Sequence, residues 1–203
     1  MTEFSDKQRQ KRKRIMSLTR RLILENGYSK TNLEDVATKA GVSKSTIYQL
    51  FKNKEGLLIA IIQETVSQLN NIMLSAFEGK KPLREALIEY ATKNMRLTHS
   101  KRHVALMSAV ISEARYSPSV GRHYFNSGPK PVLDVLADYF KEQAKAGILN
   151  VGNPRRAAAH FSGLFHWENQ LAQLTGTGQQ PSATEIENEA VAAVDVFLNG
   201  YSA

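Results

Sequence analysis

Within the six residues from Lys44 to Gln49 stand an ammonium, two hydroxyls, a phenol and a carboxamide, with Thr31, Ser43 and Lys54 on either side. Groups of these types hold phosphates and reach base edges. Cations and hydroxyls fix a protein's register on a duplex, and amides and long cations read bases in the major groove. Tyr48 has a second reading, because an aromatic between Ile47 and Phe51 could pack in a small core instead.

Such a set works only if a short helix displays it. Leu33, Val36, Ala37 and Ala40 recur at helical spacing, which predicts a helix over 32–40 with Thr31 as its N-cap and Glu34 completing a capping box. Gly41 suits a left-handed stop, and Gly41-Val42-Ser43 forms the turn. Ser43 caps a second helix over 44–51, whose Ile47, Leu50 and Phe51 face back onto the first. The pattern is that of a helix-turn-helix, although paired short helices also occur in proteins that never meet DNA.

Charge adds independent support. Residues 1–54 hold 13 Lys and Arg against 5 Asp and Glu, a net of +8; the whole chain is also +8, so the other 149 residues are neutral. The positive charge therefore sits with the motif, as a polyphosphate partner requires. Six basic residues fall between Lys7 and Arg14, a run that reads equally as a solvated tail.

From Ile15 to Leu57 the sequence resembles the DNA-binding domain of the TetR family of transcriptional repressors. The resemblance rests on Glu25-Asn26-Gly27-Tyr28 closing a first helix, then Thr31, Val36-Ala37, Ala40-Gly41-Val42-Ser43, Tyr48, Phe51 and Lys54-Glu55. Ser45 departs from it, standing where many relatives have glycine. The resemblance implies that Thr31 caps near the DNA backbone and that Lys44, Ser45, Thr46 and Gln49 lie in or beside the major groove. It also implies that Tyr48 and Lys54 hold phosphates, which leaves Lys44, Thr46 and Gln49 for base readout. The implied protein is a homodimeric repressor on a pseudo-palindromic double-stranded DNA operator. A small hydrophobic effector in the larger domain would release it by shifting the helix that begins at Lys54.

Beyond Phe51 the chain reads as helix after helix, giving an all-α fold with a helix-turn-helix domain over 1–53 and a larger ligand-binding and dimerisation domain over 54–203. The predicted helices are 7–26, 32–40, 44–51, 54–78, 82–99, 102–115, 118–126, 130–146, 154–175 and 182–200. Leu57, Leu58, Ile61, Ile62, Val66, Leu69, Ile72, Met73 and Phe77 form a wide apolar face on the fourth. The last two helices carry Ala158, Phe161, Leu164, Phe165, Leu171 and Leu174, then Ile186, Ala190, Ala193, Val194, Phe197 and Leu198. That is enough apolar surface for a two-fold interface, or for intrachain packing. A pocket could be lined by Met73, Phe77, Tyr90, Met95, Met107, Ile111, Tyr116, Phe125, His166 and Trp167, residues that could equally be core. Residues 117–147 resemble the effector domain of multidrug-efflux-type repressors.

Other functions fit poorly. The chain has no cysteine, no Gly-x-Ser-x-Gly elbow and no His-Glu-x-x-His, so an enzyme is not expected. His99 and His103 are four apart, but Lys101, Arg102 and a break near Ser100 separate them, so neither a metal nor a cofactor is expected. No segment reads as a signal peptide or as a membrane span of about 20 apolar residues, which predicts a cytoplasmic protein. A constitutive or architectural DNA-binding protein without effector sensing remains the alternative.

Overall fold

The computed structural model describes residues 5–79, 81–165 and 167–203, apart from the side chains of Leu69, Met73 and Trp167. The described residues form an all-α protein, whose only extended pairing is an isolated bridge between Leu149 and Ser202. They group into two compact units, one running to Thr65 and including 105–124, the other made of 66–104 and 125–203. The division between these units falls inside helices. Leu57, Leu58, Ile61 and Ile62 are buried, and the start of the fourth helix belongs to the first unit.

In the first unit, α1 (Asp6–Asn26) opens on a capping box between Ser5 and Gln8 and ends at Gly27, whose φ is +80°. It buries Ile15, Met16, Thr19, Leu22 and Ile23 along one stripe. α2 (Leu33–Ala40) and α3 (Lys44–Phe51) follow. Gly41 between them has φ +62° and ψ +41°, the left-handed conformation that a Cβ disfavours. Ile15, Val36 and Ile47, one from each helix, are completely buried, and burial of this kind stabilises by about 1.5–3 kcal/mol per side chain.

Thr31 does not cap α2. Asn32 does, its Oδ1 accepting from the Asp35 amide at 2.7 Å, while the buried Thr31 donates its hydroxyl to the Gly27 carbonyl at 2.9 Å. Both residues are able caps; the free carbonyl at the end of α1 takes the Thr31 hydroxyl, and the amide falls to Asn32. Glu34 is correspondingly absent from any capping box and points to Lys44.

The join between α3 and α4 (Lys54–Leu74) is tight. Lys52 has φ +68° and ψ −53°, and the Asn53 amide donates to the Phe51 carbonyl at 2.9 Å, together a three-residue γ-turn with strained geometry. Asn53 then caps α4, its Oδ1 accepting from the Gly56 amide at 2.7 Å. A Cβ at Gly56 would lie 2.0 Å from the Phe51 carbonyl oxygen, so the crossing needs glycine. The later parts of the first unit come from α6 (Lys101–Ala114) and α7 (Pro118–Ser127).

The second unit contains the end of α4, a 3-10 turn (Ser75–Phe77), α5 (Leu83–Thr98), α8 (Pro129–Lys145), α9 (Pro154–Leu164), α10 (Trp167–Leu174) and α11 (Ala183–Tyr201). Aromatic rings fill its core. Phe161 lies 4.9 Å from Phe197, 5.3 Å from Phe165, 5.9 Å from Phe140 and 6.0 Å from Tyr90, centroid to centroid. Arg84 forms a paired hydrogen bond to Asp195, and Arg96 reaches Glu187 at 2.6 Å, clipping α5 to α11.

Three expectations change here. The predicted helix over 154–175 is two helices, because Phe165 leaves helical geometry at φ −117°, ψ 11° and its buried ring joins Tyr90 and Phe161. Ala158, Phe161, Phe165, Ile186, Ala190, Ala193, Val194 and Phe197, read as interface surface, are buried in the chain's own core. Among the described residues, Leu164, Leu171, Val191 and Val196 are the large apolar residues exposed on these helices. The segment Lys54–Phe77, with mean hydropathy 1.2, is long and apolar enough to cross a membrane by composition, contrary to the sequence reading. Burial of Leu57, Leu58, Ile61, Ile62 and Val66 inside the fold marks it as a core helix.

Candidate nucleic-acid interface

The first unit displays α3 by its polar face. Ile47 and Phe51 are buried and anchor the helix, leaving Lys44, Ser45, Tyr48 and Gln49 exposed and Thr46 half-buried. Tyr48 is 45% exposed, which removes the core-packing reading for this residue. Ser43 caps α3, its Oγ accepting from the Thr46 amide at 3.2 Å and lying 2.8 Å and 2.9 Å from the Ser45 and Thr46 hydroxyls. Three hydroxyls therefore cluster at the α3 N-terminus, the end of a helix that favours anions.

Lys44 is already engaged. Its ammonium donates to Glu34 of α2 at 2.5 Å, an exposed contact that raises the Lys44 pKa and lowers that of Glu34. Lys54 is half-buried, with Nζ 4.2 Å above the Tyr28 ring and 3.4 Å from the Ser29 carbonyl. Burial pulls the Lys54 pKa down and pushes the Tyr28 hydroxyl up; the charge of Glu113 opposes the first shift and adds to the second. Thr31, buried with its hydroxyl committed to Gly27, offers no side-chain donor to a duplex.

Sequence reasoning missed several residues around this face. Arg12 donates to the Leu50 carbonyl at 3.0 Å and sits 4.6 Å above the Phe51 ring, pinning α1 to the end of α3. Arg14 lies beside the turn, 3.8 Å from where a Cβ on Gly41 would stand. Glu55 accepts from the Ser119 hydroxyl, and with Ser117 this holds its carboxyl below the usual range. Asn53 could have been found, since asparagine immediately before a helix start is a strong cap signal. The Glu34–Lys44 pair could not, because ten residues and a turn separate the partners.

The predicted pocket residues are spread over both units. Tyr90 and Met95 are fully buried in the core of the second unit, and Phe77 stacks 5.3 Å from Tyr90 and 4.5 Å from Tyr139. Phe125 is 49%, Ile111 54% and Tyr116 80% exposed, so these three face solvent; Met107 is half-buried. His166 and the side chains of Met73 and Trp167 lie outside the described residues. In the second unit an open cleft of about 610 Å³ is lined by Lys101, Val104, Gln173 and residues 178–181, none of them among those predicted. His99 and His103 are buried beside it, His99 hydrogen-bonded to Gln173 at 2.9 Å. Among the described residues no group of three His, Cys, Asp or Glu could hold a metal ion.

A basic unit that presents a capped helix by its polar face, in an otherwise helical chain, defines a DNA-binding transcriptional regulator. Family comparisons narrow the class. Residues 15–61 match the model of bacterial regulatory proteins of the tetR family, and residues 85–203 match that of the AefR-like transcriptional repressor C-terminal domain. The chain belongs to the TetR family of transcriptional regulators. It is 32% identical over 200 residues to the HTH-type transcriptional repressor KstR of Mycobacterium tuberculosis, covering 96% of this chain and 83% of that one. A putative TetR-family regulator from Mesorhizobium loti superposes with a TM-score of 0.89 at 27% identity, over 98% of this chain and 100% of that one. The flavonoid-responsive regulator FrrA gives a TM-score of 0.75 at 28% identity over 95% and 97%.

Proposed function

We propose that this protein is a ligand-responsive repressor that binds a pseudo-palindromic operator as a homodimer and acts in the cytoplasm. The observation that carries the reading is the exposed row Lys44, Ser45, Tyr48 and Gln49 on a helix anchored by Ile47 and Phe51, in the part of the chain that holds all its net charge. Lys44, Thr46 and Gln49 read bases, with Ser43 and Ser45 beside them. Tyr48 and Lys54 hold phosphates. Two such heads, joined through helices within about 154–175 and 182–200, read two half-sites about one helical turn apart. Leu164, Leu171, Val191 and Val196 supply the apolar part of that contact.

The effector is small and apolar, in keeping with an aromatic-rich second unit and with a relative that responds to flavonoids. α4 and α6 run through both units and are the covalent route by which its binding alters the heads. Selection of bound sites from a random DNA pool at fixed salt tests the first half of the reading, a two-fold consensus being the expected result. Tyr48→Ala should weaken binding to all sequences alike, and Gln49→Ala should change the preference at one position per half-site. With the selected operator in hand, an effector must raise the melting temperature and weaken DNA binding together. Salt-sensitive binding without a consensus would instead favour an architectural protein.

A further inference from the structure

Six basic residues between Lys7 and Arg14 lie outside the helix-turn-helix, and the structure resolves their roles by face. α1 is a capped helix from Asp6 onward, so the run has fixed geometry and is not a solvated tail. Arg12 points to the core side, stacked on Phe51 and bonded to Leu50. At 100° per residue, Lys7, Lys11 and Arg14 fall within one narrow stripe, and Arg9 and Lys13 lie on another, well removed from it. Arg9 is partly neutralised by Asp6 at 3.4 Å. Lys7, Lys11 and Arg14 are exposed, and among the described residues none of them forms an ion pair. Arg14, the inner end of this stripe, lies against the Gly41 turn.

We infer that the Lys7, Lys11 and Arg14 stripe is a second DNA-contacting element, tracking the phosphates that flank each half-site. This rests on the operator reading above and extends it. From Arg14 beside the Gly41 turn the stripe runs back toward the N-terminus of α1, and the seven-residue rise from Lys7 to Arg14 covers about 10 Å. At 3.4 Å of duplex per step on each strand, that length meets about three steps beyond the bases read by α3. Its three members are long cations, a set that holds phosphates and does not discriminate bases, with the Gln10 amide at its border.

The test is a salt titration of binding to the selected operator, comparing wild type with the triple variant K7Q/K11Q/R14Q and with R9Q/K13Q on the other stripe. All five positions are exposed, and circular dichroism reports whether helicity is retained. The triple variant should flatten the slope of log affinity against log salt by roughly 2.7 per head, about 0.9 for each phosphate that is no longer neutralised. Its hydroxyl-radical footprint should shorten by about three base pairs at each outer edge with the consensus unchanged. R9Q/K13Q should move neither slope nor footprint. An unmoved slope in the triple variant, or an equal change in R9Q/K13Q, overturns the assignment to this stripe while leaving the operator reading intact. A wild type that enriches no sequence overturns both.

Discussion

Phe161→Ala in the second unit has a magnitude that follows from its surroundings. The ring is completely buried and lies within 6.0 Å, centroid to centroid, of Phe197, Phe165, Phe140 and Tyr90. Truncation removes the transfer energy of the ring and leaves a cavity that four aromatic neighbours on α5, α8, α11 and the end of α9 cannot easily fill. Large-to-small changes of this kind cost about 3–5 kcal/mol. For a chain of this length each kcal/mol lowers the melting temperature by about 2–4 °C, so the expected fall is about 6–20 °C. Lys141→Ala on α8, an exposed position outside the helices proposed to join two copies, is the control and should stay within about 0.5 kcal/mol. Differential scanning calorimetry of both variants reads the result. A fall below about 2 °C for Phe161→Ala, or one matching Lys141→Ala, would show that the ring cluster is not a packed core. The reading of Tyr90 as part of a packed core would then be refuted.

Three further outcomes are expected. Glu34→Gln frees Lys44 from its carboxylate and should tighten operator binding at low salt, with a salt slope steeper by up to about one counterion; unchanged or weaker binding would mean the pair is irrelevant to DNA contact. Gly56→Ala places a methyl against the Phe51 carbonyl, so the joint between α3 and α4 must shift, costing about 1–3 kcal/mol and lowering operator affinity; a melting temperature and affinity equal to wild type would count against the tight crossing. His103, pushed down to about 4 by burial and by the neighbouring His99, is protonated in the unfolded chain at higher pH than in the folded one. Stability from this residue is therefore complete above pH 6.5 and is lost as pH falls from 6.5 to 4, by roughly 3 kcal/mol. His103→Gln should flatten stability against pH in that window, and an identical profile would remove His103 as the cause.

The helix-turn-helix was legible in the sequence because its signals are local. Gly41 and Ser43 can serve few purposes other than the stop and the cap they provide, and α3 spans the predicted residues. Thr31 and Asn32 could not be ranked locally, since the choice depends on where the Gly27 carbonyl lies. The break at Phe165 was hidden because apolar spacing continues through it. The interface residues were misread for a related reason: periodicity shows that Phe161, Ala190 and Phe197 want burial, and says nothing of which surface buries them. Exposure of Ile111, Tyr116 and Phe125 was likewise invisible to residue type alone.

The discontinuous first unit bears on how the protein is made. A ribosome delivers the chain in order, and residues 66–104 emerge before 105–124, which the DNA-binding unit incorporates. Domains generally fold as units during synthesis. Here the head must wait for a segment lying some 40 residues past Thr65, and the second unit must wait for α11, which supplies Ile186, Ala190, Ala193, Val194 and Phe197. Until then the first unit lacks Leu106, Ala109, Val110 and Val120, the buried apolar residues of that late segment. The nascent chain therefore passes through a period of apolar exposure in which trigger-type holding chaperones would find a binding site that the finished protein lacks.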